Sequence, residues 1–156
     1  MDDAESLAKH ANNRGVSINL RDRFPYPYRI EDARKFIERA MSDRQEKSHC
    51  IEIDGFPVGS IGITIGEDVH RLSAEMGYWL AEEFWGQGIM SDVVAAFVDY
   101  CFEKFSLRRI YATTYATNPA SARVLEKAGF LFEGRLRKNV VKDGQVLDSL
   151  LYAKTK

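Results

Sequence analysis

Trp-Gly-Gln-Gly-Ile-Met at residues 85–90 is the stretch that decides which fold this sequence predicts. It follows a run at 74–81 whose alternating side chains are typical of a β-strand, and it precedes an amphipathic stretch at 91–105 that is typical of a helix. A glycine-rich turn between a strand and a helix directs backbone N–H groups outward at the positive end of the helix dipole. The stretch therefore predicts a binding site for a phosphate or pyrophosphate group.

The spacing of Gly86 and Gly88 leaves an alternative open. The stretch is neither Gly-x-Gly-x-x-Gly nor Gly-x-x-x-x-Gly-Lys-Ser/Thr, so it lacks the fingerprints of dinucleotide-binding and P-loop proteins. A tight turn that needs glycine only for a positive φ angle explains the two residues equally well.

The composition is that of a globular protein. The chain has 156 residues, of which 45% are hydrophobic and 29% charged, and its formal net charge is −1. This charge favours neither nucleic acid nor a membrane as a partner, and no apolar run reaches the roughly 20 residues that span a bilayer. The acidic N-terminus lacks the features of a signal peptide, and Cys50 and Cys101 form no Cys-x-x-Cys pair. We expect one domain over residues 1–156 in a reduced, cytoplasmic protein.

The hydrophobic pattern predicts an α/β protein (mixed α+β). Two short hairpins and a strand–helix–strand–helix unit favour a mixed sheet with helices on both faces. Asn118-Pro119 is expected to open the last helix, and Gly129 to end it. Pro57 is expected to shorten the start of its strand. The predicted helices lie near 4–11, 31–41, 91–105 and 119–128, and the predicted strands at 49–54, 58–65, 74–81, 109–115, 130–141 and 146–153.

Several motifs occur in an order that resembles the GNAT superfamily of acetyl-CoA-dependent N-acetyltransferases. They are Met76-Gly77-Tyr78-Trp79-Leu80, the glycine-rich turn, and Asn118-Pro119-Ala120-Ser121 followed by Leu125, Lys127, Gly129 and Phe130. The opening stretch 11–33 and the tail 130–152 resemble the branch that acetylates N-termini of ribosomal proteins. The resemblance covers nearly the whole chain. It implies a mostly antiparallel central sheet flanked by helices, from which the family's first strand is absent here, leaving an exposed sheet edge.

The resemblance also implies a cofactor site for acetyl-CoA as co-substrate. The backbone N–H groups of Gln87, Gly88, Met90 and Ser91 would bind the pyrophosphate, although Met90 is bulkier than the glycine or alanine usual at its position. The pantetheine arm would lie along the strand that contains Met76, Gly77 and Tyr78. Asn118 and Lys127 are further candidates for contacts with CoA. A helix cap and a solvated surface lysine are the alternative roles of these last two residues.

Glu75 and Ser121 are the candidate catalytic residues. An amine must be neutral to attack a thioester, so an ammonium group needs a base, and Glu75 lies in the strand beside the expected thioester. Ser121 is, by resemblance, the acid that protonates the departing CoA thiolate. The alternatives are an exposed strand carboxylate and a serine in the first turn of a helix that assists the cap.

By resemblance, the loop that contains Phe24, Tyr26 and Tyr28 forms a wall of the acceptor site, with Asp148 and Tyr152 as further candidates. A rigid, packed turn explains the aromatic loop equally well.

Two kinds of site are not expected. His49 and Cys50 cannot form a nucleophile pair, because adjacent strand residues point to opposite faces, and Cys50 is expected to be a small core residue. His10 and His70 lack a partner at metal-ligand spacing, so no metal is predicted.

The sequence predicts an N-acetyltransferase that transfers acetyl directly to a primary amine, first of all a protein N-terminus. An acetyltransferase for a small amine, such as a polyamine, an aminoglycoside or an amino acid, and a non-catalytic acyl-CoA-binding module remain alternatives. The acceptor, the oligomeric state (a homodimer included) and the true start of the chain stay open.

Overall fold

The computed structural model describes residues 3–42 and 46–156. The helices are α1 (Asp3–Ala11), α2 (Arg14–Ser17), α3 (Ile30–Ser42), α4 (Ile89–Phe105) and α5 (Pro119–Lys127). The strands are β1 (Glu46–Ile53), β2 (Phe56–Ile65), β3 (Ser73–Leu80), β4 (Arg109–Tyr115), β5 (Leu131–Lys142) and β6 (Gln145–Thr155). A short 3-10 turn, Glu82–Phe84, follows β3. Each helix in the described ranges is too short or too polar to cross a membrane.

The six strands form one sheet in the order β1-β2-β3-β4-β6-β5. β3 pairs with β4 in parallel, whereas β6 runs antiparallel to both β4 and β5. The register of the parallel pair runs from Ser73 opposite Arg109 to Glu75 opposite Tyr111. The mixed, mostly antiparallel sheet with flanking helices is thus confirmed. In the described part of the chain no strand precedes α1, and β1 lies at an end of the sheet.

Most element boundaries fall within three residues of the prediction, but the structure differs from it in one helix and at the start of one strand. The pattern missed α2, a four-residue helix that is too short to show an apolar stripe. Pro57 does not shorten β2, which begins at Phe56, because a proline near the start of a strand is tolerated without its N–H.

Contacts along the described chain separate it into two compact units. The first comprises Met1–Ile63 and Gly77–Gln87, and the second comprises Thr64–Met76 and Gly88–Lys156. The single domain over residues 1–156 therefore stays a prediction.

The first unit has a core between its N-terminal helices. Ala4, Leu7 and Ala11 of α1 are buried together with Tyr28 and Ala33. Phe24, Phe36, Ile37 and Trp79 pack against this cluster as half-buried side chains. The apolar stripes that predicted α1 and α3 meet here, since the two helices pack against each other. Met41, which was predicted to belong to the α3 stripe, is 84% exposed and lies outside this contact.

The second unit is built around the apolar face of α4. Its buried side chains are Met90, Val94, Phe97, Val98, Cys101 and Phe102. Ile110 of β4 and Leu125 of α5 are also fully enclosed. This stripe matches the predicted one, which gave α4 its helical period.

The prediction for Cys50 was wrong, because its side chain is exposed. In β1 the neighbouring Ile51 is 5% exposed and takes the buried position. Alternation along the strand then directs Cys50 outward.

Candidate functional site

The glycine-rich turn ends in a helix whose first N–H groups have no side-chain cap. Gly86 and Gly88 have φ angles of 72° and 83°, and Gly88 is the N-cap of α4, with no side-chain hydrogen bond to it in the described chain. The N–H of Asp92 donates to the Gly88 carbonyl at 3.2 Å and closes the first helical turn. The three preceding N–H groups, at residues 89–91, lack an intrahelical acceptor, as at any helix start. An uncapped start of this kind suits an anion.

Open space lies over the two glycines. A Cβ atom on Gly86 or Gly88 would meet no atom within 4 Å, so crowding is not what requires glycine at these positions. Their positive φ angles require it, as the alternative explanation of the turn holds. The need for a positive φ angle does not explain the free space over the two glycines. This space leaves the start of α4 accessible to a ligand.

The side chains of the turn are directed away from that space. Nε1 of Trp85 donates to the Leu80 carbonyl at 2.8 Å, and Nε2 of Gln87 donates to the Glu83 carbonyl at 3.0 Å. Met90 is 8% exposed and packs in the core. The bulk of Met90 therefore leaves the N-terminus of α4 unobstructed, and contacts of a ligand with the backbone of Gln87 and Met90 stay a prediction.

Strand β3 places the predicted pantetheine and base residues. Glu75 is half-buried and lies opposite Tyr111 in the parallel register. The side chain of Met76 is buried, and Tyr78 is half-buried. Gly77 is exposed, and a Cβ atom there would meet nothing within 4 Å. The backbone of this strand, rather than the Met76 side chain, is what a pantetheine arm would contact.

Helix α5 begins and ends as its sequence predicts. The Asn118 side chain caps the helix by accepting from the Ser121 N–H at 3.3 Å, and Pro119 is the first helical residue. At the other end, the N–H groups of Gly129 and Phe130 donate back to the Glu126 and Leu125 carbonyls, which is a Schellman motif. The structural role of Asn118 is confirmed.

Two α5 roles stay predictions. Ser121 is half-buried in the first turn of the helix, and Lys127 is exposed in its last turn.

The aromatic loop is packed at both ends and open in the middle. The Phe24 ring lies 4.8 Å from that of Tyr28 and 5.4 Å from that of Trp79, between centroids. Burial raises the pKa of Tyr28 to about 12. Tyr26 is 51% exposed, with the Arg14 guanidinium 5.5 Å from the centre of its ring. Of the three predicted acceptor residues of this loop, Tyr26 alone presents most of its ring to solvent.

Asp148 and Tyr152 are held by contacts within the β5–β6 region. Asp148 accepts from the Lys138 N–H at 2.8 Å and from Nε of Arg135 at 2.6 Å, and these bonds lower the pKa of Asp148. The hydroxyl of Tyr152 donates to Glu126 of α5 at 3.0 Å, and its ring is buried. Both contacts stabilise the fold, so the predicted acceptor roles gain no support from this geometry.

Sequence reasoning missed four polar residues that meet at the start of the turn. Asn13 contacts Glu82, and His10 contacts Glu83, across about 70 residues of chain. No periodicity or short motif reports a pair so far apart. Within the described ranges no cluster of three or more potential metal ligands occurs.

A family model described as Acetyltransferase (GNAT) domain matches residues 1–131. The chain belongs to the GNAT acetyltransferase family. The resemblance that the sequence motifs indicated is thereby confirmed.

Curated GNAT relatives include enzymes for two kinds of acceptor. The ribosomal-protein-serine acetyltransferase of Escherichia coli is 31% identical over 127 residues, which are 80% of this chain and 70% of that protein. The spermidine N(1)-acetyltransferase of the same organism is 25% identical over 142 residues, which are 90% and 75% of the two chains. The chain spans about half the length of the first relatives it matches, including an N-acetyltransferase of Bacillus subtilis that is 38% identical over 62% of this chain and 54% of that protein.

Solved GNAT structures share the fold over nearly the whole chain. The ribosomal L7/L12 α-N-protein acetyltransferase RimL, in complex with coenzyme A, superposes with a TM-score of 0.85 at 25% identity. The alignment covers 99% of this chain and 90% of RimL.

Proposed function

We propose that this protein transfers an acetyl group from acetyl-CoA to the N-terminal amine of a protein. The uncapped start of α4 carries the donor half of this proposal. Its N–H groups lie beneath open space after Gly88, which suits the CoA pyrophosphate. The complex of RimL with coenzyme A supports the same ligand for a chain of this fold.

The transfer needs a base, an electrophile and an acid. In the proposed reaction, Glu75 takes a proton from the acceptor ammonium, directly or through water, and the neutral amine attacks the thioester carbon. Backbone N–H groups of β3 polarise the carbonyl oxygen as negative charge develops on it. The C–S bond then breaks, and Ser121 protonates the CoA thiolate. The second proton, which the acceptor nitrogen loses as the amide forms, restores the Ser121 hydroxyl through solvent.

The acceptor site that we propose beside Asp148 borders the basic strand β5, and this charge favours a peptide over a polyamine. β5 carries the exposed cations Arg135, Arg137 and Lys138 against a single carboxylate, Glu133. Glu133 is already bound by Arg109, and Asp148 by Arg135. A polyamine carries several positive charges and would be repelled here, whereas a peptide N-terminus brings one.

A transfer assay with three acceptors tests the proposal. An unstructured peptide with a free N-terminus, the same peptide with a blocked N-terminus and an internal lysine, and spermidine are each incubated with acetyl-CoA, and products are identified by mass spectrometry. Acetylation of the free N-terminus alone is expected. Acetylation of spermidine alone would replace the peptide by a small amine, the acceptor named for the spermidine relative. Binding of acetyl-CoA without transfer to any acceptor would favour the non-catalytic module.

A further inference from the structure

Two adjacent carboxylates in the 3-10 turn contact the corner between α1 and α2. Nδ2 of Asn13 donates to Oε2 of Glu82 at 2.7 Å. Nε2 of His10 lies 3.3 Å from Oε1 of Glu83. All four residues belong to the first unit, and we call this pair of contacts the corner grip.

The same two glutamates also receive bonds from the glycine-rich turn. The Trp85 N–H donates to the Glu82 carbonyl at 3.1 Å, and Nε2 of Gln87 donates to the Glu83 carbonyl at 3.0 Å. Side chains thus tie Glu82 and Glu83 to the corner, while their carbonyls tie them to the turn. A displacement of Glu82 would be transmitted to Trp85, and a displacement of the adjacent Glu83 to Gln87, so both reach the glycine-rich turn.

Asn13 is itself fixed in the orientation that the grip requires. Its Oδ1 accepts from the N–H groups of Gly15 and Val16 at 2.7 and 3.3 Å, which directs Nδ2 toward Glu82. Gly15 leaves room for the cap, since a Cβ atom there would lie 3.0 Å from Oδ1 of Asn13 and 3.4 Å from Oε2 of Glu82. The cap therefore turns the amide NH2 group toward the carboxylate, which accepts one of its N–H groups.

We propose that Asn13 is a positioning residue for acetyl-CoA that acts through Glu82. The corner grip holds residues 82–87 so that the Gln87 N–H stays directed at the pyrophosphate. His10 supports the same segment through Glu83. This inference rests on the proposed function, because it assigns a determinant of donor affinity to that site.

The variant at Asn13 must keep the cap of α2, so that only the bond to Glu82 is lost. Asn13→Asp keeps an oxygen to cap Gly15 and Val16 but loses the Nδ2 donor and places a second carboxylate beside Glu82. Asn13→Asp combined with Glu82→Gln reverses the bond, since the new amide donates to the new carboxylate. Glu82→Gln alone keeps an oxygen that accepts from Asn13. Glu103→Gln, on an exposed position of α4, is the matched control for loss of a surface carboxylate.

The affinity for acetyl-CoA and the steady-state constants are measured for wild type and these variants. Since the contact is exposed, we expect Asn13→Asp to raise the Kd and the KM for acetyl-CoA about fivefold, with kcat changed by less than about twofold. The double variant is expected to recover wild-type affinity to within about twofold, as coupled neighbours do. The control is expected to bind as wild type does.

Three results would overturn the inference. They are wild-type affinity in Asn13→Asp, no recovery in the double variant, or a fall in kcat with unchanged KM. Should Asn13→Asp fail to fold, as judged by circular dichroism, Glu82→Ala removes the acceptor and must raise KM in the same way. Wild-type protein that does not bind acetyl-CoA would refute the proposed function as well, whereas the three results above refute the positioning role alone.

Discussion

Gly88→Ala separates the role of this glycine in the backbone from its role in the donor site. Gly55, in the turn between β1 and β2, provides a matched control. The φ angles of Gly88 and Gly55 are 83° and 82°, and a Cβ atom on either would meet nothing within 4 Å. The two alanine variants therefore introduce the same strain and the same lack of steric conflict, but only one lies at the start of α4.

The backbone cost is the same in both variants. An alanine held in the left-handed region costs about 1–2 kcal/mol relative to glycine. For a chain of this length each kcal/mol lowers the melting temperature by roughly 2–4 °C. Both Tm values should therefore fall by a few degrees, as measured by thermal unfolding without ligand.

The effect on the ligand should differ between the two. A phosphate oxygen approaches a backbone N–H to about 2.9 Å, so a methyl group at residue 88 would occupy space that the pyrophosphate needs. We expect Gly88→Ala to raise the Kd for acetyl-CoA at least about tenfold, which is about 1.4 kcal/mol, in isothermal titration. Gly55→Ala should leave the Kd unchanged. Equal Kd values for the two variants would refute the assignment of the turn to CoA binding.

Three further predictions concern stability and reactivity. Burial raises the pKa of Tyr28 from 10.0 to about 12, so the folded state holds this proton more tightly than the unfolded state does. The free energy of unfolding should therefore fall by about 2–3 kcal/mol as the pH rises from 10 to 12. In urea unfolding, Tyr28→Phe should abolish that part of the loss, and an identical loss in the variant would contradict the prediction. Cys101 is 0% exposed and its pKa is raised by burial to about 12, whereas Cys50 is exposed. A thiol reagent should therefore modify one cysteine in the native protein and two after unfolding. Rapid modification of both cysteines in the native protein would contradict the burial of Cys101. Lys138 has a φ angle of 52° and lies between Leu136 and Val140, where the pairing register of β5 with β6 shifts. Lys138→Gly should therefore raise the free energy of unfolding by up to about 1 kcal/mol, and a decrease would show that the lysine side chain contributes more than its strain costs.

The elements that position the donor site could be predicted because their signals are local. The apolar stripe of α4, the cap at Asn118 and the alternation of β3 each lie within one element, and the structure reproduces them. The glycine pair marked the turn because positive φ angles are a property of the backbone at single positions.

Features made by distant segments could not be predicted in the same way. The hydrogen bond between Asn13 and Glu82 joins residues 69 positions apart, and no sequence pattern near either residue indicates that the two are in contact. The hydroxyl of Tyr152 donates to Glu126 of α5, which is 26 residues away in the sequence, so the sequence did not predict this contact either. Cys50 was misplaced because side chains alternate along β1, and Ile51 rather than Cys50 takes the buried position.

We propose that the start of α4 binds the pyrophosphate of acetyl-CoA. Thermal unfolding of the wild-type protein in the presence of acetyl-CoA, free CoA or NAD tests this proposal. A ligand that binds only the folded state adds about 2.7 kcal/mol of stability at one hundred times its Kd. We expect a clear rise in the melting temperature with acetyl-CoA and with CoA, and none with NAD. No rise with either CoA species, or an equal rise with NAD, would contradict it.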